Sequence, residues 1–387
     1  MPCRFFRLYT ALLAITVCLP LFSAERIVDL TAPDGVTLKA TFFSAAKPGP
    51  GVLLLHQCNR QRKVWDDLAR QLSATGINVL TFDMRGFGES GDDRFDKAPP
   101  KARAAQFAKW PGDIDVAFKY LQSQPGVNRD VIGVGGASCG VDNSVQAAIR
   151  HPEVKSLVLL SGPTNLAGRN FLRNDRTIPV FFAFADDDEF KPTLIDMPWL
   201  YSVTANPSKE MAHYQTGGHG ADIFPVHPDL PSKIVQWWVT TLVKTPGHAS
   251  VPKETYPIPK QARILAVLDE PGGALTIAEQ LADARKRDAN VTLFPEDRVN
   301  IMGYEHIQAG DTKTAIEILK LNADAYPNSA NAYDSLGDAY LAAGQKDLAR
   351  QNARKALELL ASDTTIDAQR RELIKQSAEK KLLPDGE

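Results

Sequence analysis

The chain has 387 residues, of which 44% are hydrophobic and 23% charged, and its formal net charge is −2. This length allows two or three domains with buried cores. The balanced charge excludes the clustered basic surface that nucleic-acid or anionic-membrane binding needs. We interpret the short basic run of Arg60, Arg62 and Lys63 as a solvated loop. We therefore expect no nucleic-acid partner.

The first 24 residues are typical of an export signal. Arg4 and Arg7 precede an apolar stretch at 8–22, and the small residues Ser23 and Ala24 follow it. The apolar stretch is too short to span a bilayer comfortably. We expect cleavage near residue 24, a periplasmic or secreted protein, and no membrane span in the mature chain.

Residues 25–245 alternate short apolar runs with amphipathic segments. Asp34-Gly35 predicts a hairpin between the runs 26–30 and 36–44. Further strands are predicted at 51–56, 77–83, 130–135, 155–161, 178–185 and 209–215. Helices are predicted at 64–75, 111–124, 141–150 and 231–244. This alternation predicts an α/β domain with a mostly parallel sheet and helices on both faces.

Residues 246–260 contain four prolines and no helical periodicity, which predicts a stiff, extended linker before a second domain. The rest of the chain, 261–387, is helical and repetitive. A shift of 34 residues aligns Gly303 with Gly337, Gly310 with Gly344 and Ala315 with Ala349.

The segment 331–340, followed by Gly344, closely resembles a tetratricopeptide repeat, and Pro327 stands where that family ends its repeats. We identify two clear repeats, a degenerate third at 264–290 and a capping helix at 365–381. One repeat cannot bury its apolar face alone. We therefore expect this region to dock onto the preceding domain, to self-associate, or to bind a protein partner.

Gly136-Ala-Ser138-Cys139-Gly140 lies between a predicted strand and a predicted helix, which is the pattern of a nucleophile elbow. The residues two before and two after the serine meet in such a turn, so both must be small. Centring the turn on Cys139 would place the branched Val141 at one of these positions. The pattern therefore favours Ser138 as the nucleophile.

A serine hydroxyl needs a base, usually a histidine held by a carboxylate. The predicted strand 178–185 runs into Asp186, Asp187 and Asp188, and the strand 209–215 leads to His219 between glycines. A chain order of serine, acid and histidine is typical of one large class of serine hydrolases.

On these motifs, and on 53–58 and 82–90, residues 26–245 resemble an α/β-hydrolase, nearest to the dienelactone-hydrolase-like serine hydrolases. The resemblance implies an α/β-hydrolase fold with Ser138 as nucleophile, Asp188 as acid and His219 as base. Because three aspartates stand in a row, Asp187 remains the alternative acid. No metal or organic cofactor is implied.

Acyl transfer also needs an oxyanion hole. The resemblance implies one donor at the backbone N–H of Cys139 and another after the strand 51–56, at Cys58 or Gln57. The family often has His-Gly where this chain has His56-Gln57, so the second donor stays open.

Cys3 and Cys18 would leave with the signal, and only Cys58 and Cys139 would remain. Two cysteines are too few for a disulfide framework. A bridge between them would occupy the floor of the site, and we do not expect one.

The sequence thus predicts an exported serine hydrolase that cleaves a carboxylic ester or related acyl bond. A peptidase or acyltransferase would use the same residues, and a non-catalytic scaffold is the third alternative. Only a short segment separates the strands 155–161 and 178–185, which leaves no room for an inserted lid. The pocket should be open, or covered by 92–109 or by the helical region, and should accept a small-molecule or polymer-attached ester.

Overall fold

The computed structural model describes residues 25–252, 255–362 and 366–383, so the export signal expected at 1–24 lies outside the described residues. Its centre is one eight-stranded sheet with the strand order β1-β2-β4-β3-β5-β6-β7-β8. The strands are β1 (Glu25–Thr31), β2 (Thr37–Phe43), β3 (Gly49–Leu55), β4 (Asn78–Phe82), β5 (Val127–Ala137), β6 (Val154–Leu160), β7 (Val180–Ala185) and β8 (Lys209–Tyr214). Strand β2 pairs antiparallel with β1 and β4, and the other pairs are parallel.

Helices cover both faces of this sheet. They are α1 (Asp66–Ala74), α2 (Pro100–Phe107), α3 (Trp110–Ser123), α4 (Cys139–Arg150), α5 (Leu166–Asn174), α6 (Thr193–Val203), α7 (Ile223–Val226) and α8 (Asp229–Trp238). Phe118 of α3 and Val145 of α4 pack on one face, whereas Leu72 of α1 and Trp238 of α8 pack on the other. Because helices cover both faces of the sheet, the central strands are buried on both sides, and their sequences are continuous apolar runs. The expected α/β-hydrolase fold is confirmed.

Four helices of this domain, α2, α5, α6 and the short α7, were not predicted from the sequence. Helix α6 is apolar nearly all round and contains Pro198, so it has no amphipathic period to detect. Helix α5 occupies the short segment between β6 and β7, and α2 lies within 92–109, which we had expected to be a loop.

The basic run at 60–63 is not simply a solvated loop. The Arg62 side chain is fully buried and forms ion pairs with the carboxylates of Asp83 and Glu89. Arg62 also donates from Nε to the Thr41 hydroxyl at 3.1 Å. The interpretation holds only for its neighbours Arg60 and Lys63, whose side chains are about half exposed. Burial is tolerated because Asp83, itself buried, compensates the charge of Arg62.

The described residues of the C-terminal region, 260–362 and 366–383, form seven helices. They are α9 (Lys260–Leu268), α10 (Gly273–Arg285), α11 (Glu296–Gln308), α12 (Thr312–Ala325), α13 (Ala330–Ala342), α14 (Lys346–Ser362) and α15 (Ala368–Leu382). Helices α11 and α12, and then α13 and α14, are joined by short turns in which Gly310 and Gly344 have φ values of +78° and +74°. A Cβ atom at Gly303 would overlap the Leu319 side chain, so this glycine lets α11 and α12 approach closely.

The helical region packs directly on the sheet domain. Trp199 and Val203 of α6 share one apolar cluster with Ala262 and Leu265 of α9. The linker contributes as well, because the ring of Tyr256 lies 5.8 Å from that of Tyr201. Within the described ranges, no helix is both long enough and apolar enough to cross a bilayer.

Buried ion pairs join the two regions. The guanidinium of Arg169 on α5 binds both carboxylate oxygens of Asp269 at 2.8 and 3.0 Å and Glu305 of α11 at 2.7 Å. Its carbon lies 4.3 Å from the centroid of the Trp199 ring. The C-terminal helices are therefore anchored next to the ends of β6 and β7, where the predicted site residues lie.

Candidate functional site

Ser138 lies at a sharp turn between β5 and α4. Its backbone adopts φ 54° and ψ −120°, a strained conformation for a residue other than glycine. A Cβ atom at Gly136 would overlap the carbonyl oxygen of Gly140, and one at Gly140 would lie 2.5 Å from the carbonyl oxygen of Leu55. Gly136 thus requires glycine for the reason given by the elbow pattern, and Gly140 requires it because it lies against the end of β3. The turn presents Ser138 at the end of β5, ahead of the first turn of α4.

His219 is hydrogen-bonded to Asp188. Its Nδ1 lies 2.9 Å from Oδ1 and 2.8 Å from Oδ2 of this carboxylate. Both side chains are nearly or fully buried, and the Phe190 amide donates a further hydrogen bond of 2.8 Å to Oδ1 of Asp188. A carboxylate on Nδ1 holds the proton there, which leaves Nε2 as the basic nitrogen of the ring.

The two preceding aspartates have other partners. Asp187 is exposed and accepts a hydrogen bond of 2.8 Å from the amide of Gly218, which lowers the pKa of Asp187. Asp186 pairs with Nε2 of His213 at 2.7 Å. Only Asp188 of the three carboxylates is hydrogen-bonded to the ring of His219, whereas Asp187 braces the backbone just before it.

The histidine loop lies against the turn that carries Ser138. A Cβ atom at Gly220 would be 3.1 Å from the Cβ of Ala137, the residue before the serine. Gly220 also has φ +62°, a region that favours glycine. The residues next to Ser138 and His219 in sequence, Ala137 and Gly220, therefore lie close together.

The side chain of Gln57 holds the histidine loop in place. It is fully buried, its Nε2 donates to the carbonyl oxygen of His219 at 3.2 Å, and its Oε1 accepts from the amide of Ala221 at 2.9 Å. The sequence pattern indicated a role only for the backbone N–H of Gln57 and did not predict this side-chain contact. The one available signal was the glutamine itself, since the family often has glycine there, and a glycine could not make these bonds.

Cys58 and Cys139 form a disulfide, so the expectation that they stay unbridged is wrong. Their Cα atoms are 5.9 Å apart because the loop after β3 folds over the first turn of α4, and this separation lies in the usual range for a disulfide. The bridge lies beside Ser138 and does not take the place of its side chain. It also removes Cys139 as an alternative nucleophile, because a bridged sulfur is not a free thiolate.

His56 is a structural residue beneath this loop. It is fully buried, its Nδ1 lies 2.8 Å from the carbonyl oxygen of Gln57, and its Nε2 lies 3.0 Å from the amide of Met84. A neutral ring with the proton on Nδ1 satisfies both contacts. Burial lowers the pKa of His56, which agrees with the neutral form. His56 thus ties the end of β3 to the end of β4.

Two backbone amides near Ser138 are free to act as donors. Across the described ranges, neither the N–H of Cys58 nor that of Cys139 has a hydrogen-bond acceptor. The disulfide joins the side chains of these same two residues. In the described part of the chain there is no group of three or more histidine, cysteine, aspartate or glutamate side chains that could hold a metal ion.

Residues 46–219 match the family described as serine aminopeptidase, S33. This range includes Ser138, Asp188 and His219. Among curated proteins, the chain is 27% identical over 133 residues to a thiohydrolase of Aspergillus aculeatus, covering 34% of this chain and 39% of that protein. It is 31% identical over 147 residues to an uncharacterised protein of Mycobacterium tuberculosis, covering 37% and 48%. The chain therefore spans less than half of these relatives.

Solved structures are similar to part of this chain. An esterase of Pyrococcus furiosus superposes with a TM-score of 0.44 at 21% identity, covering 57% of this chain and 94% of the esterase. A dienelactone hydrolase of Anabaena variabilis gives 0.47 at 18% identity, covering 57% and 99%. Each similarity covers little more than half of this chain.

Proposed function

We propose that the protein is an exported serine hydrolase that cleaves a carboxylic ester or a related acyl bond. The observation that carries this proposal is the geometry at three loops. A strained serine lies on a glycine-flanked turn, and a buried carboxylate holds Nδ1 of a histidine whose loop packs against that turn. No cofactor enters the proposed chemistry, because each step is a proton transfer or an acyl transfer.

In the proposed mechanism, the Oγ atom of Ser138 attacks the acyl carbon while Nε2 of His219 accepts its proton. Asp188 keeps the Nδ1 proton in place and stabilises the imidazolium that forms. The histidine then protonates the leaving group, and an acyl-serine remains. Water, deprotonated by His219, hydrolyses this intermediate and regenerates Ser138.

The free amides of Cys139 and Cys58 are the proposed donors to the oxyanion. The developing negative charge then lies between the first turn of α4 and the loop after β3. One such donor typically contributes about 3 kcal/mol to the transition state. We do not assign the backbone N–H of Gln57 as a donor to the oxyanion. The side chain of Gln57 instead positions the histidine loop.

A fluorophosphonate probe tests the nucleophile. The wild-type chain should be labelled and should hydrolyse p-nitrophenyl acetate, whereas Ser138→Ala should do neither. Ser161→Ala is the matched control, because Ser161 also follows a central strand with a positive φ of 50°. It should still be labelled. Absence of labelling in the wild type, or equal labelling of Ser138→Ala, would refute the proposal.

The same residues would serve a peptidase or an acyltransferase, and the names of similar proteins include a serine aminopeptidase family, a thiohydrolase and a polyketide transferase. These activities differ in the leaving group and in the acceptor of the acyl group. Comparing p-nitrophenyl acetate with an aminoacyl p-nitroanilide separates ester from amide cleavage. We place the ester first because it requires no recognition of a free amino group.

The disulfide should be needed for full activity. It ties together the two residues whose amides we assign to the oxyanion hole, and it closes a loop of 81 residues. Opening it should lower kcat by about tenfold or more, up to the roughly 100- to 1,000-fold that complete removal of one donor costs. In the chain-entropy account, loss of such a loop closure lowers the free energy of unfolding by about 4 kcal/mol.

The measurement compares kcat and the urea midpoint with and without a phosphine reductant. A Cys58→Ala/Cys139→Ala double variant is the control, because its activity should already be low and should not respond to the reductant. Full activity of the reduced wild type would show that the bridge does not position the donors.

Export is part of the same proposal. A disulfide persists in oxidising compartments such as the periplasm or the extracellular space and is rare in the cytosol. The Cys58–Cys139 bridge therefore supports the assignment of residues 1–24 as an export signal.

For the C-terminal region we propose a tetratricopeptide-type stack. Gly310 and Gly344, 34 residues apart, occupy equivalent turns, and the aligned Ala315 and Ala349 are both buried. Its inner helices pack on the hydrolase domain, which favours docking over an independent scaffold. Its outer helices remain free for a partner protein or a second copy of the chain.

A further inference from the structure

A cavity of about 290 Å³ lies where the helical region meets the hydrolase domain. We infer that this cavity is the acyl-binding pocket, that helix α11 forms one of its walls, and that it selects a short acyl chain ending in a carboxylate. The inference rests on the proposed function and names its substrate class.

The cavity is next to the proposed catalytic residues. Asp142, which lines it, follows Ser138 by one turn of α4. Phe190, on another side, has its ring 6.0 Å from that of His219. Pro163 lines it as well and directly follows Gly162, where a Cβ atom would overlap the backbone of Ser138. An acyl group bound to Ser138 can therefore extend into this space.

The walls suit a short carbon chain. Apolar lining comes from Phe190 and Trp199 of the hydrolase domain and from Ile301 and Met302 of α11. The volume is near the lower end of ligand pockets, which run from about 300 to 1,000 Å³. A long lipid chain would not fit, whereas an acyl group of a few carbons would.

Arg298 of α11 carries a positive charge that its neighbours only partly compensate. Its Nη1 donates to Oδ1 of Asp196 at 3.1 Å, and its Nε has no partner in the described part of the chain. Asp196 is fully buried, and burial raises its pKa to about 7. Near neutral pH, this carboxyl is therefore partly protonated and only partly compensates Arg298.

The other charged groups of the cavity already have hydrogen-bond partners, although those of Asp142 are neutral donors rather than a cation. Arg169 uses its nitrogens on Asp269, on Glu305 and on the carbonyl oxygen of Thr164. Asp142 accepts from the Thr164 hydroxyl at 2.6 Å, and Glu305 is held by Arg169. An anionic group on the substrate would thus meet Arg298 as its available partner.

The experiment compares two methyl esters that differ only at the end of the acyl chain: methyl valerate and monomethyl glutarate. Hydrolysis by the full chain is followed by pH-stat titration. The wild type should prefer the glutarate in kcat/KM. Arg298→Met should lower the glutarate-to-valerate ratio by about tenfold or more, because a hydrogen bond to a charged group is lost. Arg298→Lys should restore part of it.

Two further variants guard against misfolding. In Asp196→Asn/Arg298→Met, no buried carboxylate is left unpaired, and the ratio should remain as low as in Arg298→Met. Arg287→Met, at an exposed position outside the cavity, should leave the ratio unchanged.

A larger side chain at Ile301 tests whether α11 forms a wall of the pocket. Ile301 is 43% exposed, so Ile301→Trp should fold. It should lower kcat/KM for methyl valerate much more than for methyl acetate, whose acyl group is too short to reach the wall. If acetate is hydrolysed but neither ratio moves in these variants, the inference is overturned and the proposed function stands. If no ester is hydrolysed by the wild type, both fail.

Discussion

Asp188→Asn should lower kcat for ester hydrolysis by about four orders of magnitude, as the corresponding change does in a well-characterised Ser-His-Asp enzyme. The amide has the shape of the carboxylate and can still accept from the Phe190 amide through its oxygen. Its nitrogen, however, donates to Nδ1 of His219, so the ring proton moves to Nε2. The imidazole can then no longer accept the proton of Ser138.

Asp187→Asn is the matched control for this change. Asp187 is the adjacent carboxylate, but it is exposed and contacts the amide of Gly218 rather than the imidazole of His219. Its loss should affect kcat far less. The measurement is kcat on p-nitrophenyl acetate, with circular dichroism to verify that both variants fold. If the Asp187 variant lost as much activity as the Asp188 variant, the assignment of the acid would be wrong.

Arg169→Met should lower the free energy of unfolding by about 3–5 kcal/mol, because it leaves two carboxylates without their main counter-ion at a buried interface. Asp269 is fully buried on its side-chain atoms, and burial already raises the pKa of Glu305. The substitution also removes the contact between the Arg169 guanidinium and the Trp199 ring. The helical region should therefore detach from the hydrolase domain at lower urea.

The loss should depend on pH. Burial already raises the pKa of Glu305, and Arg169 opposes that rise, so without Arg169 the pKa of Glu305 in the folded state lies further above its unfolded value. Stability is then retained at low pH, where Glu305 is protonated, and falls as pH rises. Urea titrations followed by tryptophan fluorescence should show a smaller cost at pH 5 than at pH 8.

Arg173→Met provides the comparison for Arg169. Arg173 also pairs with Asp269, at 3.3 Å, but it is partly exposed, and its removal should cost about 1 kcal/mol or less. Arg169→Met combined with Asp269→Asn should recover part of the lost stability. An Arg169 variant with the wild-type midpoint at both pH values would contradict the proposed anchoring role.

The sheet was predictable because its strands are apolar runs bounded by turn residues. The run at 51–56 corresponds to β3 (Gly49–Leu55), and 178–185 corresponds to β7 (Val180–Ala185). The glycines around Ser138 were predictable as well, since the steric requirement of the turn is local. The structure shows that requirement directly, at Gly136 and Gly140.

What could not be predicted depends on residues far apart in the chain. The disulfide joins residues 81 apart, and Arg169 meets Asp269 at a separation of 100. No local pattern marks such partners. The hydrogen bonds from Gln57 to the histidine loop span more than 160 residues, and they depend on where two loops meet above the sheet.

Helix α11 contacts both the sheet domain and the rest of the helical region. Glu305 contacts the buried Arg169, while the neighbouring Tyr304 donates a hydrogen bond of 2.7 Å to Asp338 of α13. Lys381 of α15 in turn pairs with Asp338 at 2.7 Å. The outermost helix is thus only two side-chain contacts away from a wall of the cavity. If a molecule that binds α15 displaces α11 through these contacts, thermodynamic reciprocity requires that a ligand in the cavity change the affinity for that molecule by the same factor.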